Sequence, residues 1–224
     1  MDDRKTGSDL RSSTLPFFRI GLVVFYGVGV AGMTISFTRP LFTALIPFAL
    51  LLSMGILLWF QPRLKEWKPW GIFMLIYLAG FLVEMVGVNT GKIFGVYHYG
   101  AGLGPKINGT PLMIGINWLM LTLAFADLVR RTGLSGWVTV PVAAAGMVGY
   151  DLVLEQIAPW LDMWNWEGGS IPLQNYAAWF LMALLFQILL KGTGIPVKNR
   201  VALAVLFCQF FFFLLLLLFF KFFT

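Results

Sequence analysis

Seven stretches of about 20 mostly apolar residues recur along this sequence, each closed off by charge, proline or glycine, and they constrain its fold more than any other feature. They run about Phe17 to Phe37, Leu41 to Phe60, Trp70 to Val88, Pro111 to Leu128, Trp137 to Ile157, Asn175 to Leu190 and Val201 to Phe220. A helix rises about 1.5 Å per residue and about 30 Å of hydrocarbon takes roughly 20 residues, a length that most of these stretches reach or approach within the uncertainty of their ends. Of the 224 residues, 59% are hydrophobic and 12% charged, against about one-quarter charged in soluble domains. The expectation is an all-α integral membrane protein of about seven transmembrane helices, residues 1–224 forming a single polytopic domain. The first stretch follows a charged head as a signal peptide would, but exceeds the roughly 7 to 15 residues of an h-region, so it reads as a retained anchor. The last, nearly pure Phe and Leu, suits a lipid-facing helix.

Basic residues give the orientation. Twelve of them, Arg4, Lys5, Arg11, Arg19, Arg63, Lys65, Lys68, Arg130, Arg131, Lys191, Lys198 and Arg200, fall on one side of a seven-span chain; Arg39, Lys92, Lys106 and Lys221 fall on the other. Lys and Arg near the spans resist translocation, which places the N-terminus in the cytoplasm and the C-terminus outside. The net charge of +6 therefore reflects topology and not nucleic-acid binding. Cys208 is the single cysteine, so an intrachain disulfide is impossible.

Ionisable groups inside spans are costly and mark function by default. Glu84 lies in the third span, Asn117 in the fourth, and Asp151 with Glu155 in the fifth. Counting from the helix ends puts Glu84, Asn117 and Asp151 at one depth, roughly 9 to 10 Å beneath the outer surface. Asp151 and Glu155, four residues apart, share a helix face. The competing reading is a hydrogen-bonded lock between helices, with Asn117 bridging two carboxyls. Asp127 beside Arg130 and Arg131 is expected to form a local ion pair. Small residues such as Gly27 and Ala31 suit helix packing within or between chains, leaving the oligomeric state open.

The outer connections hold the remaining chemistry: Tyr97-His98-Tyr99 within a glycine-rich segment, and Trp164-Asn165-Trp166 before Asn175. Glycine there permits close backbone approach. Gly100-Ala101-Gly102-Leu103-Gly104 is no dinucleotide fingerprint, since no strand precedes it and Pro105 follows. One histidine, His98, excludes a multi-histidine metal site. Seven spans without a mid-helix lysine in the last exclude a retinal Schiff base. Carboxyls, amides and aromatic rings in a dry pocket suit protonation of an alkene to a tertiary cation followed by water capture. Burial favours the neutral acid, and ring faces attract positive charge.

Glu84 with Gly87, Gly91, Phe94-Gly95, Tyr97 and Tyr99, Leu103-Gly104-Pro105, Gly109, Pro111 and Trp118, followed by Asp151, Trp164, Trp166, Pro172, Asn175 and Trp179, resembles the CruF-type carotenoid hydratase family. The resemblance covers about Glu84 to Trp179. It implies a membrane enzyme of carotenoid biosynthesis that hydrates the terminal double bond of an acyclic ψ end group to a tertiary alcohol. Carotenoid and water are then its substrates, the bilayer of the cytoplasmic membrane its setting, and no cofactor is required. On this reading Asp151 or Glu84 is the general acid, with Glu155 a further catalytic carboxyl. Tyr97, Tyr99, Trp164 and Trp166 stabilise the cation, Asn117 or Asn175 positions water, and His98 and Trp118 complete the substrate contacts. A cyclase or isomerase using the same cation is the nearest alternative. A transporter or lipid-binding protein is the other, although no internal repeat supports it.

Overall fold

The computed structural model describes residues 3–223, with side chains from residue 12 onward. Arg4, Lys5 and Arg11 of the basic count thus have side chains outside the described residues. The helices are α1 (Asp3–Thr34), the short α2 (Arg39–Ala44) and α3 (Ile46–Trp59), α4 (Trp67–Thr90), α5 (Met113–Arg131), α6 (Thr139–Ile157), α7 (Leu173–Gly192) and α8 (Ala202–Phe223). Among the described residues six of them, α1 and α4 to α8, are long and apolar enough to cross a membrane.

The expected second span is a broken helix. Pro40 and Pro47 sit in the first turns of α2 and α3. A proline lacks the N–H that would continue the preceding turn, and its ring opposes the carbonyl four residues back. At 14 residues α3 is too short to span by itself. The pair nevertheless runs the height of the bundle. At one end Arg39 Nε donates to Met33 O at 2.9 Å and its guanidinium lies 4.7 Å from the Phe220 ring centre, near the C-terminus of α8. At the other, Gln61 Nε2 donates to Pro196 O at 2.7 Å in the α7–α8 connection.

That connection gathers members of all four larger basic clusters. Arg19 donates to Arg200 O, Lys68 to Thr193 O and Arg131 to Asn199 O, while Arg200 itself reaches Ser12. Asp127 forms the expected ion pairs with Arg130 (2.8 Å) and Arg131 (2.7 Å) and also accepts from Asn199 N, which ties the connection to α5.

α5 is the central helix: 72% of its apolar window is buried, against 22–39% in the other five. Around it the outer surface is apolar, with Phe17, Ile20 and Val24 of α1, Leu181 and Leu185 of α7, and Phe207 and Phe211 of α8 exposed. Such a surface fits acyl chains, which are as apolar as the core itself. α8 is only partly lipid-facing: Val205, Gln209, Phe212, Leu216 and Phe220 form a buried stripe packed against α1, α5 and α6.

The glycine-rich connections contain strands of two or three residues, too short for the sequence pattern to mark. β1 (Tyr97–Tyr99), β2 (Lys106–Ile107), β3 (Thr110–Pro111) and β4 (Trp164–Trp166) form two small antiparallel pairs. β2 and β3 make a hairpin around Asn108 and Gly109, and β1 pairs with β4 in the register Tyr97 to Trp166, His98 to Asn165 and Tyr99 to Trp164. The ribbon thereby joins the α4–α5 connection to the α6–α7 connection. Gly100 and Gly102 allow this approach: a Cβ on either would lie 2.3 Å from the carbonyl oxygen of Asp162 or Leu161.

Candidate active site

Side chains in a strand alternate between faces, so Tyr97, Tyr99, Trp164 and Trp166 turn inward while His98 points out. The four inward rings cap the ends of α4, α5, α6 and α7. Beneath them lie Glu84 of α4 and Glu155 of α6, each 3% exposed.

Both glutamates are fully engaged. Glu84 Oε2 accepts from the hydroxyls of Tyr97 at 2.6 Å and Tyr99 at 2.8 Å, and Oε1 accepts from Trp118 Nε1 of α5 at 3.1 Å. Glu155 Oε2 accepts from Trp164 Nε1 at 2.9 Å and Trp166 Nε1 at 2.7 Å, and Oε1 accepts from Asn175 Nδ2 of α7 at 2.8 Å. One strand of the ribbon therefore reads one carboxyl with two phenols, and the other strand reads the second with two indoles. Indole and amide N–H groups only donate, so the arrangement around Glu155 suits an ionised carboxylate. Burial first, and then the charge of Glu84, holds the phenols of Tyr97 and Tyr99 well above the usual tyrosine range, which keeps both as neutral donors.

Asp151 stands one turn deeper on the face of α6 that carries Glu155. It is completely buried, yet neither carboxyl oxygen has a hydrogen-bond partner. Asn175 lies beside it, but the Nδ2 of that amide is directed to Glu155. Of the three acids, Asp151 alone makes no hydrogen bond among the described residues, and the Asn175 amide is its neighbouring donor.

Trp118 and Trp179 stack with their ring centres 4.0 Å apart at an interplanar angle of 26°, and Trp179 lines the space between the glutamates. Tyr97 and Trp166 meet at 4.9 Å across the ribbon. The free space left between the glutamates, the ribbon rings and Trp179 is about 10 Å³, the threshold for a single water molecule. Asp151 does not line that space. In this closed arrangement an aromatic cage surrounds two carboxylates, and a hydrocarbon end group needs the cage to part.

Of the residues expected from the sequence, Glu84, Tyr97, Tyr99 and Trp118 come together around one carboxyl, and Glu155, Trp164, Trp166 and Asn175 around the other. His98 is exposed. Asn117 is buried but joins neither group, because Trp118, the next residue along the helix, is the one turned toward Glu84. Trp179 was absent from the expected contact residues. Its spacing four residues after Asn175, on the same helix face, was the available signal.

Residues 42–224 match the family described as carotenoid biosynthesis protein. The chain is 31% identical over 140 residues to a bisanhydrobacterioruberin hydratase of Haloarcula japonica, a match covering 55% of this chain and 46% of that relative. The aligned part thus spans about half the length of the curated relative. No solved structure matches.

Proposed function

Because the chain belongs to the carotenoid biosynthesis protein family, we propose that it adds water across the terminal double bond of a carotenoid ψ end group to give a tertiary alcohol. The relative named as a hydratase supports the reaction class, in line with the resemblance to CruF-type hydratases carried by the motifs. The observation that carries the chemistry is the asymmetry among the three buried acids: each glutamate accepts from three donors, whereas Asp151 makes no hydrogen bond among the described residues.

In this mechanism the ribbon parts to admit the end group. Asp151, as the neutral acid, gives its proton to the less substituted alkene carbon; the π pair forms the new C–H bond and leaves a tertiary cation. The faces of Tyr97, Tyr99, Trp164 and Trp166 and the charge of Glu155 and Glu84 stabilise that cation. A water held near Asn175 supplies the lone pair for the C–O bond, and its proton passes to the Asp151 and Glu155 pair, restoring the acid. General acid catalysis of this kind is worth roughly 100- to 10,000-fold.

The broken α2–α3 pair counts as a crossing in this proposal. Residues 1–224 then form one domain of seven spans in the cytoplasmic membrane, with the basic end inside and the ribbon outside.

The test is expression in a bacterium that accumulates lycopene, with mass analysis of the extracted pigment. A gain of one water per ψ end supports hydration. Conversion without a change in mass supports a cyclase or isomerase. Unchanged pigment with the protein present in the membrane overturns both for this substrate.

A further inference from the structure

A second cavity, of about 330 Å³, lies at the opposite end of the bundle between the end of α5, the start of α6 and the end of α7. It is amphipathic. Arg130, Ser135, Thr139, Gln187 and Lys191 contribute its polar groups, and the exposed Leu134 and half-buried Ala126 are part of its apolar wall.

The charges there do not cancel. Asp127 is shared by Arg130 and Arg131, so a single carboxylate faces two guanidinium groups. Lys191 Nζ donates to Thr139 Oγ1 at 2.9 Å and lies 5.8 Å from the Trp137 ring centre, and among the described residues it has no carboxylate within ion-pair distance. Among the described residues two positive charges are thus left over beside an open cavity. A buried or half-buried cation without a counter-charge is costly, and an anion that enters the cavity relieves that cost.

We propose that this cavity binds an anionic phospholipid from the leaflet on the side of the basic loops. The phosphate group sits against Lys191 and Arg130, with the hydroxyls of Ser135 and Thr139 as neutral partners. An acyl chain follows the wall of Leu134 and Ala126 toward the bilayer centre. Basic pockets between helices on the cytoplasmic side are a recurrent means of holding acidic headgroups. A free inorganic anion would use the same cations but leave the apolar wall uncovered, and a zwitterionic lipid would cover the wall while bringing its own positive charge against Lys191. The site is separate from the carboxyl cage, so this proposal and the catalytic one fail independently.

The experiment uses the full chain, purified in detergent and stripped of lipid, with thermal unfolding followed as phosphatidylglycerol, phosphatidylcholine of the same chains, or inorganic phosphate is added. Phosphatidylglycerol is expected to raise the transition well beyond the other two. Lys191→Gln is expected to weaken the apparent affinity about five-fold, as one basic residue near an acidic lipid does, whereas Lys198→Gln on the exposed connection leaves it unchanged. Ser135→Trp, which fills the mouth and keeps every charge, provides the second variant if Lys191→Gln does not fold, and is expected to lose the lipid effect as well. Equal stabilisation by both phospholipids, an equal effect of phosphate alone, or full retention of the effect in the two cavity variants would overturn the proposal.

Discussion

At the level of single residues, the three acids of the cage differ in what faces them, and substitution should separate them. Asp151→Asn keeps the volume and removes the transferable proton. Pigment conversion should fall at least about 100-fold, the usual lower range for loss of a general acid, while thermal stability stays level, since no hydrogen bond to Asp151 is lost. Conversion rate and unfolding, measured on the same preparation, check both halves. Tyr97→Phe acts differently: it removes one of three donors to Glu84, which should cost about 1–3 kcal/mol of stability. It also tests the titration of the ribbon. A phenol held neutral to higher pH in the folded state binds its proton more tightly there than in the unfolded chain, so its contribution is fully present below about pH 10 and is lost as pH rises beyond that. Stability of the parent protein should therefore fall above about pH 10, and the slope should be shallower in Tyr97→Phe; identical slopes would remove Tyr97 as the cause. The acids and rings were legible in the sequence because each is an unusual residue for its setting. Their pairing was not, since Glu155 meets Trp166 eleven positions away and Glu84 meets Trp118 thirty-four away only through the fold.

Among the elements, the ribbon and α8 show where sequence pattern carries information and where it fades. The alternation of Tyr-His-Tyr and Trp-Asn-Trp is a strand signature, but each run is three residues long, too short to stand out from a loop without its partner strand. Its partner is reached only because Gly100 and Gly102 let two connections touch. Gly100→Ala would put a Cβ 2.1 Å from the Asp162 carboxyl, so the ribbon should lift from the glutamates. The expected result is loss of most conversion with helix content intact, measured by circular dichroism alongside pigment analysis; normal conversion would show that the ribbon need not sit on the carboxyls. α8 poses the reverse problem. Its outer face meets lipid and its inner face meets α1, α5 and α6, and both are Phe and Leu, so no polar contrast marks the buried side. Gln209 alone betrays that face. The break between α2 and α3 is written in Pro47, but in a run so largely apolar a single proline does not outweigh the pattern of one continuous span.

For the molecule as a whole, the basic residues and the bundle geometry make a single claim about how the chain sits in the bilayer. Four basic clusters were assigned to one side by counting, and the structure brings a member of each to the α7–α8 connection through Arg19, Lys68, Arg131 and Arg200. The carboxyl cage lies at the other end, where Lys106 donates to Tyr99 O. Because Lys and Arg are retained on the cytoplasmic side, the cage should face outward, close to the water that hydration consumes. The broken α2–α3 pair decides the parity. If it crosses, the chain has seven spans and its ends lie on opposite sides; if it only dips into the bilayer, the six long helices bring both ends to one side. A reporter active only outside the cytoplasm, such as a phosphatase, should be active when fused at Thr38, between α1 and α2, and silent when fused at Lys65, between α3 and α4. Activity at both Thr38 and Lys65 would mean that α2–α3 does not cross, which would put Arg39 and the helix end beneath Phe220 on different sides of the membrane. Their 4.7 Å contact forbids that in this fold, so the reporter tests the packing of α2 against α8 as directly as it tests the topology.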